Sequence, residues 1–420
     1  MGEYGRRWRG VWVAAVLAHA AAGCAVEQTG SEPRAVEEPQ DAPVVPEQEV
    51  GEDASFAPEG CESAPWGMGR ALSCEEIRPA EPGPSRSFIT RANAPEADCG
   101  PGTGDGAGHL ALYNAGPFGA QAWNVVFRDG TDTENLLLGG DLALGVIPQP
   151  RGFHIARISP GGATLTVYSS RGEFLRAVPL TDAGDVPFDV AEDPRGGVLV
   201  AQWASGEGDT QVLRFQFLDT RGQPRSEPVV VRSAPRSEER SVIAGVDTRG
   251  RVLLLLREPG RDTWVGQWLR RDGDALTEPF AVPVPANAPS LVLEPLVEGG
   301  LALRVEGEWV LWFPNGEAEA HPAPAWLAAH PGSDLYRIRN GRAYALVPPP
   351  TLVEGSGCRE SIRLFSSDGT DCGELTLPFG AGTCLGRPGI ALDGTVIQQL
   401  QLAIPAADQC AWRWWPRLLR

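Results

Sequence analysis

Side chains able to do chemistry are few in this sequence and widely spaced. Of its 5 histidines, His109, His154, His321 and His330 lie beyond the first two dozen residues. His109 and His154 follow turn glycines by one and two residues, which sends them to opposite faces of their strands, so a shared imidazole pair is not expected. No G-x-S-x-G elbow, H-E-x-x-H helix, Walker loop or strand-borne G-x-G-x-x-G is present. "RDGTDTE" (128–134) gathers oxygens but lacks the alternating register and closing glutamate of a calcium loop. There is no C-x-x-C pair, so zinc is not expected either. The reading is therefore of no catalytic residue, no metal and no cofactor. Arginine is what remains: all 36 basic residues are Arg, which a strong base-composition bias explains better than dozens of guanidinium sites.

The 8 cysteines point to export. Arg6, Arg7 and Arg9 precede the apolar "VWVAAVLAHAAAG", too short for a membrane span and long enough for a secretory core. It ends in "AAGC", which resembles a bacterial lipobox with Ala21 in place of the usual Leu. That implies a signal peptide over 1–23 and lipidation of Cys24; cleavage at Ala18-His19-Ala20 is the alternative, giving a secreted chain. Residues 24–84 then form an anchor and an acidic, Pro-rich tether too poor in large apolar residues to fold. Over 25–84, fourteen Asp and Glu against three Arg give −11 of the total −18. The remainder is only mildly acidic, which argues against nucleic acid as a partner. Lipidation leaves Cys61, Cys74, Cys99, Cys358, Cys372, Cys384 and Cys410 for disulfides, an odd number; Cys61 with Cys74 would close a small loop.

Residues 85–420 repeat one unit. First turns fall at Gly108, Gly152, Gly197, Gly250, Gly300, Gly341 and Gly394, and second turns at Gly130, Gly172, Gly222, Gly273, Gly316 and Gly369. Asp-Gly, Asn-Gly and Arg-Gly between β-rich runs predict two-residue hairpins in primed turns. "SSDGTD" (366–371) is one of these, since it lacks the Trp and interrupted spacing of a sialidase Asp box. "FLDTRGQPRSEPVVV" (217–231) and "WLRRDGDALTEPFAV" (268–282) agree at several offsets, and Pro228 and Pro279 assign the strands beside them to a sheet edge. Units of this size predict an all-β fold, a β-propeller of seven blades with three to four antiparallel strands each, six blades being the alternative and an open sandwich array the weaker one. Third-strand aromatics (Trp123, Phe217, Trp268, Trp312, Trp414) read as packing between blades. The last unit lacks a strand, and "SRSFITRA" (85–92) can supply it, with Cys99 reaching the C-terminal cysteines; the alternative is that it opens blade one.

The ending "LDGTVIQQLQ…CAWRWWPRLLR", with paired cysteines before it, resembles that of uncharacterised propeller-like lipoproteins of predatory, GC-rich soil bacteria of the myxobacterial type. The resemblance implies location and fold and brings no catalytic residue; Ala25 after the lipobox cysteine, in place of the Asp that retains some lipoproteins inside, favours the outer membrane. Antiparallel connectivity puts the first and second turns on one face and the longer loops on the other, where binding residues belong. Arg232, Arg236, Arg240, Arg261, His321, Trp326 and His330 are the candidates. The expected function is that of a membrane-tethered binding or scaffold module for an unknown protein or glycan. A glycan-directed hydrolase or lyase with an axial site, and a structural part of an envelope complex, are the alternatives.

Overall fold

The computed structural model describes residues 72–77, 85–91, 98–104, 110–115, 121–126, 133–138, 142–149, 152–159, 162–169, 174–180, 188–288, 290–339, 341–353, 357–378, 387–400 and 409–419. Residues 1–23, expected to be a signal peptide, and Cys24, Cys61, Cys384 and His109 lie outside them. Of Cys99 and Cys410 only the backbone is described.

Six four-stranded antiparallel sheets are each built from one continuous stretch of chain. Blade 1 runs from Asp98–Gly104 to Thr133–Leu138, blade 2 from Leu142–Pro148 to Phe174–Pro179, and blade 3 from Phe188–Glu192 to Val229–Pro235. Blade 4 runs from Ser241–Val246 to Phe280–Pro285, blade 5 from Leu291–Pro295 to His321–Pro322, and blade 6 from Asp334–Ile338 to Asp371–Thr376. Blade 6 also carries a two-stranded ribbon, Thr351–Val353 with Gly357–Arg359, between its second and third strands. A further four-stranded sheet closes the circle. Its order runs from Gly389–Ile390 through Val396–Leu400 and Gln409–Trp415 to Arg86–Arg91, which pairs Arg86 with Trp414 and Thr90 with Cys410. The segment 85–92 thus supplies the missing outer strand, and the edge of Gln409–Trp415 is covered.

From blade 2 round to the closing sheet, neighbouring sheets pack face to face. Separate apolar clusters join blades 2 and 3 (Leu165 with Val200), 3 and 4 (Trp203 with Leu254), 4 and 5 (Trp268 with Leu303), 5 and 6 (Trp309 with Tyr344), and blade 6 to the closing sheet (Leu364 with Trp415). Blade 1 meets the closing sheet through a parallel bridge between Gly104 and Ala391, and its first strand also lies along that of blade 2. This is a β-propeller.

The sequence pattern follows from that packing. Second strands lie between two neighbouring blades, so Val252–Arg257 (VLLLLR) is apolar on both sides and buried along nearly its whole length. Outer strands wet one side, so Phe280–Pro285 alternates. Blades 2, 3, 4 and 6 each carry a register shift between third and outer strands, at Val167/Tyr168, Leu213/Arg214, Thr263/Trp264 and Leu364/Phe365. Such bulges sharpen the twist at the rim. Phe217, Trp268 and Trp414 are buried between blades as expected, and Trp312 is half-buried; the side chain of Trp123 lies outside the description.

Three expectations are corrected. At seven of the described turns the connection is not a two-residue primed hairpin, whereas the turn of Gly152, closed by the Gln149 amide on the Gly152 carbonyl at 3.0 Å, has the two-residue length. At Asp247 the amide donates to the Arg251 carbonyl (3.0 Å) and the Gly250 amide donates back to the Asp247 carbonyl (2.9 Å), enclosing a three-residue loop whose glycine has φ +80°. The same pair of bonds recurs at Asp193, Asp219, Arg270, Leu296, Ser366 and Ala391. Aspartate wins the first position because its carboxylate caps the loop: Asp247 Oδ1 accepts the amides of Arg249 (2.9 Å) and Arg251 (2.8 Å). Second, Cys74 does not pair with Cys61 but with Cys372 on the outer strand of blade 6. Third, residues 72–77, assigned by sequence to the tether, are docked there. A one-turn helix, Cys74–Ile77, buries Ile77 and Leu72 against blade 6, and Arg339 donates to the Glu76 carbonyl at 2.7 Å. Cys358 is also disulfide-bonded. Among the described residues no helix is long and apolar enough to cross a membrane.

Candidate functional site

The long-loop face is fixed by strand direction. It carries the connections between second and third strands and those between blades. At the junction of blades 3 and 4 three such segments meet: the end of Val198–Ser205, residues 235–240, and residues 257–263. Trp203 sits at the end of its strand, fully buried. The guanidinium carbons of Arg232 and Arg240 lie 5.4 and 5.1 Å from the centre of its ring. Glu258, from the facing loop of blade 4, accepts a hydrogen bond from Arg232 Nη2, and its other oxygen stands 3.5 Å from Arg240 Nε. Arg240 also donates to the Pro235 carbonyl. Burial pulls the Arg232 guanidinium below its usual range, and the like charges of Arg240 and Arg261 add to this. The result is a cationic cluster stacked on a buried tryptophan, with one carboxylate: Arg240 side chain 8% exposed, Glu258 16%, Arg232 33%.

Comparison with known proteins gives no assignment. No family model matches the chain, and no curated protein matches it. Among solved structures, a streptogramin B lyase is similar at 15% identity, covering 78% of this chain and 97% of that one, with a TM-score of 0.41. A catalytically inactive virginiamycin B lyase from Staphylococcus aureus with quinupristin is similar at 12% identity over 79% and 99%, TM-score 0.40. TolB from Acinetobacter baumannii is similar at 14% identity over 68% of each chain, TM-score 0.36. Likenesses of this strength carry no argument about what this chain binds.

The nominated residues do not form one site. Arg232, Arg240 and Arg261 come together, although Arg240 is buried rather than loop-exposed. Arg236 is exposed, its amide bonded to the Asp209 carbonyl at 3.0 Å. His321 lies on the outer strand of blade 5, 3.7 Å from Glu317 and against Trp312. Trp326 and His330 belong to the blade 5–6 connection, where both rings pack on Phe365 and Trp326 also on Tyr344. Burial, then Arg363, lowers the His330 pKa. Their role is to seal blade 5 to blade 6. Trp203 and Glu258 were missed: the tryptophan reads as one more core aromatic, and no spacing signals that Glu258 faces blade 3.

The axis and the short-turn face hold different chemistry. Glu192, last residue of the innermost strand of blade 3, pairs with Arg337 of the innermost strand of blade 6. Blades 3 and 6 are separated by blades 4 and 5, so this pair crosses the ring. On the short-turn face, fully buried Asp193 takes Arg271 of blade 4 at 2.7 and 3.3 Å and Arg225 of its own blade at 3.4 Å. The outer turns there are longer than expected. Residues 219–228 and 270–279 separate the third and outer strands of blades 3 and 4, and these turns bring Arg225 and Arg271 to Asp193. Among the described residues no His/Cys/Asp/Glu cluster could hold a metal. A crevice between blades 2 and 3, lined by Val178, Gln202, Arg214 and Pro228, holds none of the nominated residues.

Proposed function

We propose that this chain is an extracytoplasmic propeller lipoprotein, anchored through a lipid on Cys24 after removal of residues 1–23, that acts as a binding or scaffold module through its long-loop face. The closing sheet counts as a seventh blade in this reading. The supporting observation is the Trp203–Arg232–Arg240–Glu258 cluster, a cationic cluster between two loops on the face that carries the longer connections. At the axis Glu192 is paired with Arg337, which ties up one carboxylate that the enzyme alternative would use.

The test uses the full chain. Acyl labelling and cell fractionation of the wild type and Cys24→Ser check the anchor, and loss of both label and membrane association is expected. Envelope proteins and glycans captured by the wild type are then compared with those captured by Arg232→Glu and Arg261→Glu, and by the short-turn-face controls Arg221→Glu and Arg270→Glu. Arg240 is a poor choice for charge reversal because it is buried against Glu258. Partners lost only with the short-turn-face changes would overturn the assignment.

A further inference from the structure

We propose that the cluster of Trp203, Arg232 and Arg240 is a receptor for one anionic oxygen group, a carboxylate or a sulfate or phosphate group, presented by a ligand at the long-loop face; this rests on the binding-module reading above.

The charges do not balance within the cluster. Two guanidinium groups, those of Arg232 and Arg240, share the single carboxylate of Glu258, and the charge of Arg261 is felt at Arg232 as well. The donors do not balance either. Arg232 Nε, Arg240 Nε and Trp203 Nε1 are buried N–H groups without a hydrogen-bond acceptor, although Arg240 is only 7% exposed and Trp203 not exposed at all. Arg240 Nε is near Glu258 Oε2 at 3.5 Å, but the geometry is not that of a hydrogen bond. A buried donor left unsatisfied is costly, so an acceptor entering here gains what the protein itself does not supply. The Asp193 cluster shows the contrast: there Arg271 directs two nitrogens at the two carboxylate oxygens. Arg232 is reachable at 33% exposure and Arg261 is exposed, so a ligand can approach over these two while Arg240 and Trp203 form the floor.

The surroundings narrow the class of ligand. The same loops carry exposed Glu207, Asp209, Glu238, Glu239 and Asp262. The positive field is therefore local, which suits a single anionic group and disfavours a polyanion such as nucleic acid. Glu258 occupies part of the donor set and acts as an internal competitor.

Isothermal titration calorimetry of the full chain in low salt tests this with trigalacturonate, inorganic phosphate, inorganic sulfate and neutral trigalactose. At least one anionic probe should bind, the neutral sugar should not, and raising salt to about 0.2 M should weaken binding. Arg232→Gln and Arg261→Gln should each lower affinity, the former roughly tenfold or more, since it removes a charged hydrogen bond. Glu258→Gln should raise it by removing the competitor. Arg261 is exposed on a loop, so its variant keeps the test valid if Arg232→Gln fails to fold by circular dichroism. Trigalacturonate binding would assign the source to an acidic glycan, and binding of phosphate or sulfate alone to a free or esterified oxyanion. No heat with any anionic probe, or affinity unchanged in Arg261→Gln, would overturn the proposal. If envelope partners are still captured through the long-loop face while no anionic probe binds, the receptor falls and the binding-module reading stands.

Discussion

Glu360 offers the sharpest test of the packing between blade 6 and the closing sheet. Its carboxyl is buried and accepts a hydrogen bond from Gln398 Nε2 at 2.7 Å, with Gln398 itself fully buried in the strand Val396–Leu400. Burial drives its pKa from 4.5 up to about 7, against the opposing pull of Gln398 and the charge of Arg413. The folded pKa is raised, so the folded state holds the proton more tightly than the unfolded chain between about pH 4.5 and 7. Stability therefore falls as pH rises through that window, and the ionised group costs most above it. A difference of 2.5 units, from 4.5 to about 7, corresponds to about 3 kcal/mol at 1.36 kcal/mol per unit. Glu360→Gln keeps the shape and an oxygen to accept from Gln398, and never ionises. It should be stabilised over the wild type by up to about 3 kcal/mol at pH 8, or roughly 4 °C in Tm for a fold of this size, and by almost nothing at pH 4. Urea or thermal unfolding of both proteins at the two pH values reads this directly. Because every other titrating group is common to the pair, a stability difference independent of pH would refute the reasoning.

His154 should behave with the opposite sign. Burial lowers its pKa, and its Nε2–H donates to the Thr220 carbonyl of the neighbouring blade at 3.0 Å. The unfolded chain therefore takes up a proton near pH 6.5 that the folded state refuses, and wild-type stability should drop between pH 7 and 5; His154→Gln, measured by urea unfolding, should not show that drop. Gly197→Ala should cost at least about 3 kcal/mol in the same assay, because an added Cβ would lie 2.0 Å from the Leu218 carbonyl oxygen at φ +91°. Gly260→Ala, at φ +72° with nothing within 4 Å, should cost only the backbone strain of about 1–2 kcal/mol. Replacing Cys74 and Cys372 together by serine should lower stability by about 2–5 kcal/mol, with protease cleavage appearing first near residues 72–77.

How much of this was readable in the sequence depends on the range of the interaction. The turn glycines, the apolar second strands and the edge prolines each act within a few residues, so they mark blades directly. Pro228 and Pro279 do stand immediately before outer strands. Strand 86–91 could be assigned because a count of strands left one short, which is a property of the whole repeat. The exact turn was misread because Asp-Gly and Arg-Gly serve both loop lengths, and the carboxylate cap that selects three residues depends on geometry. Cys74–Cys372 was beyond reach: 298 residues separate the partners, and sequence favours the nearer Cys61. The site was half legible. Loop position nominated Arg232, Arg240 and Arg261, but only the stacking of blade 3 on blade 4 brings Glu258 and Trp203 to them.

That partition has a cause in the fold. A hairpin between adjacent antiparallel strands is tied to the ladder, and here the first turns are further held by capping carboxylates. Asp247 caps its own loop and takes Arg251 Nε at 2.8 Å, while Asp193 takes arginines from two outer turns, so changing any one of these loops disturbs a buried charge. Breaking such a pair leaves the other charge buried and uncompensated, a loss of about 3–5 kcal/mol. On the opposite face such pairing is less uniform: Asp334 takes Arg304 at 2.8 Å and Arg387 at 3.3 Å, while the second-to-third-strand connection of blade 6 carries a whole ribbon within the same scaffold. Where no buried pair intervenes, as in that ribbon, loop length and sequence can vary without stranding a charge. The Arg232–Glu258 contact, with donors left over rather than fully paired, is what such freedom would produce.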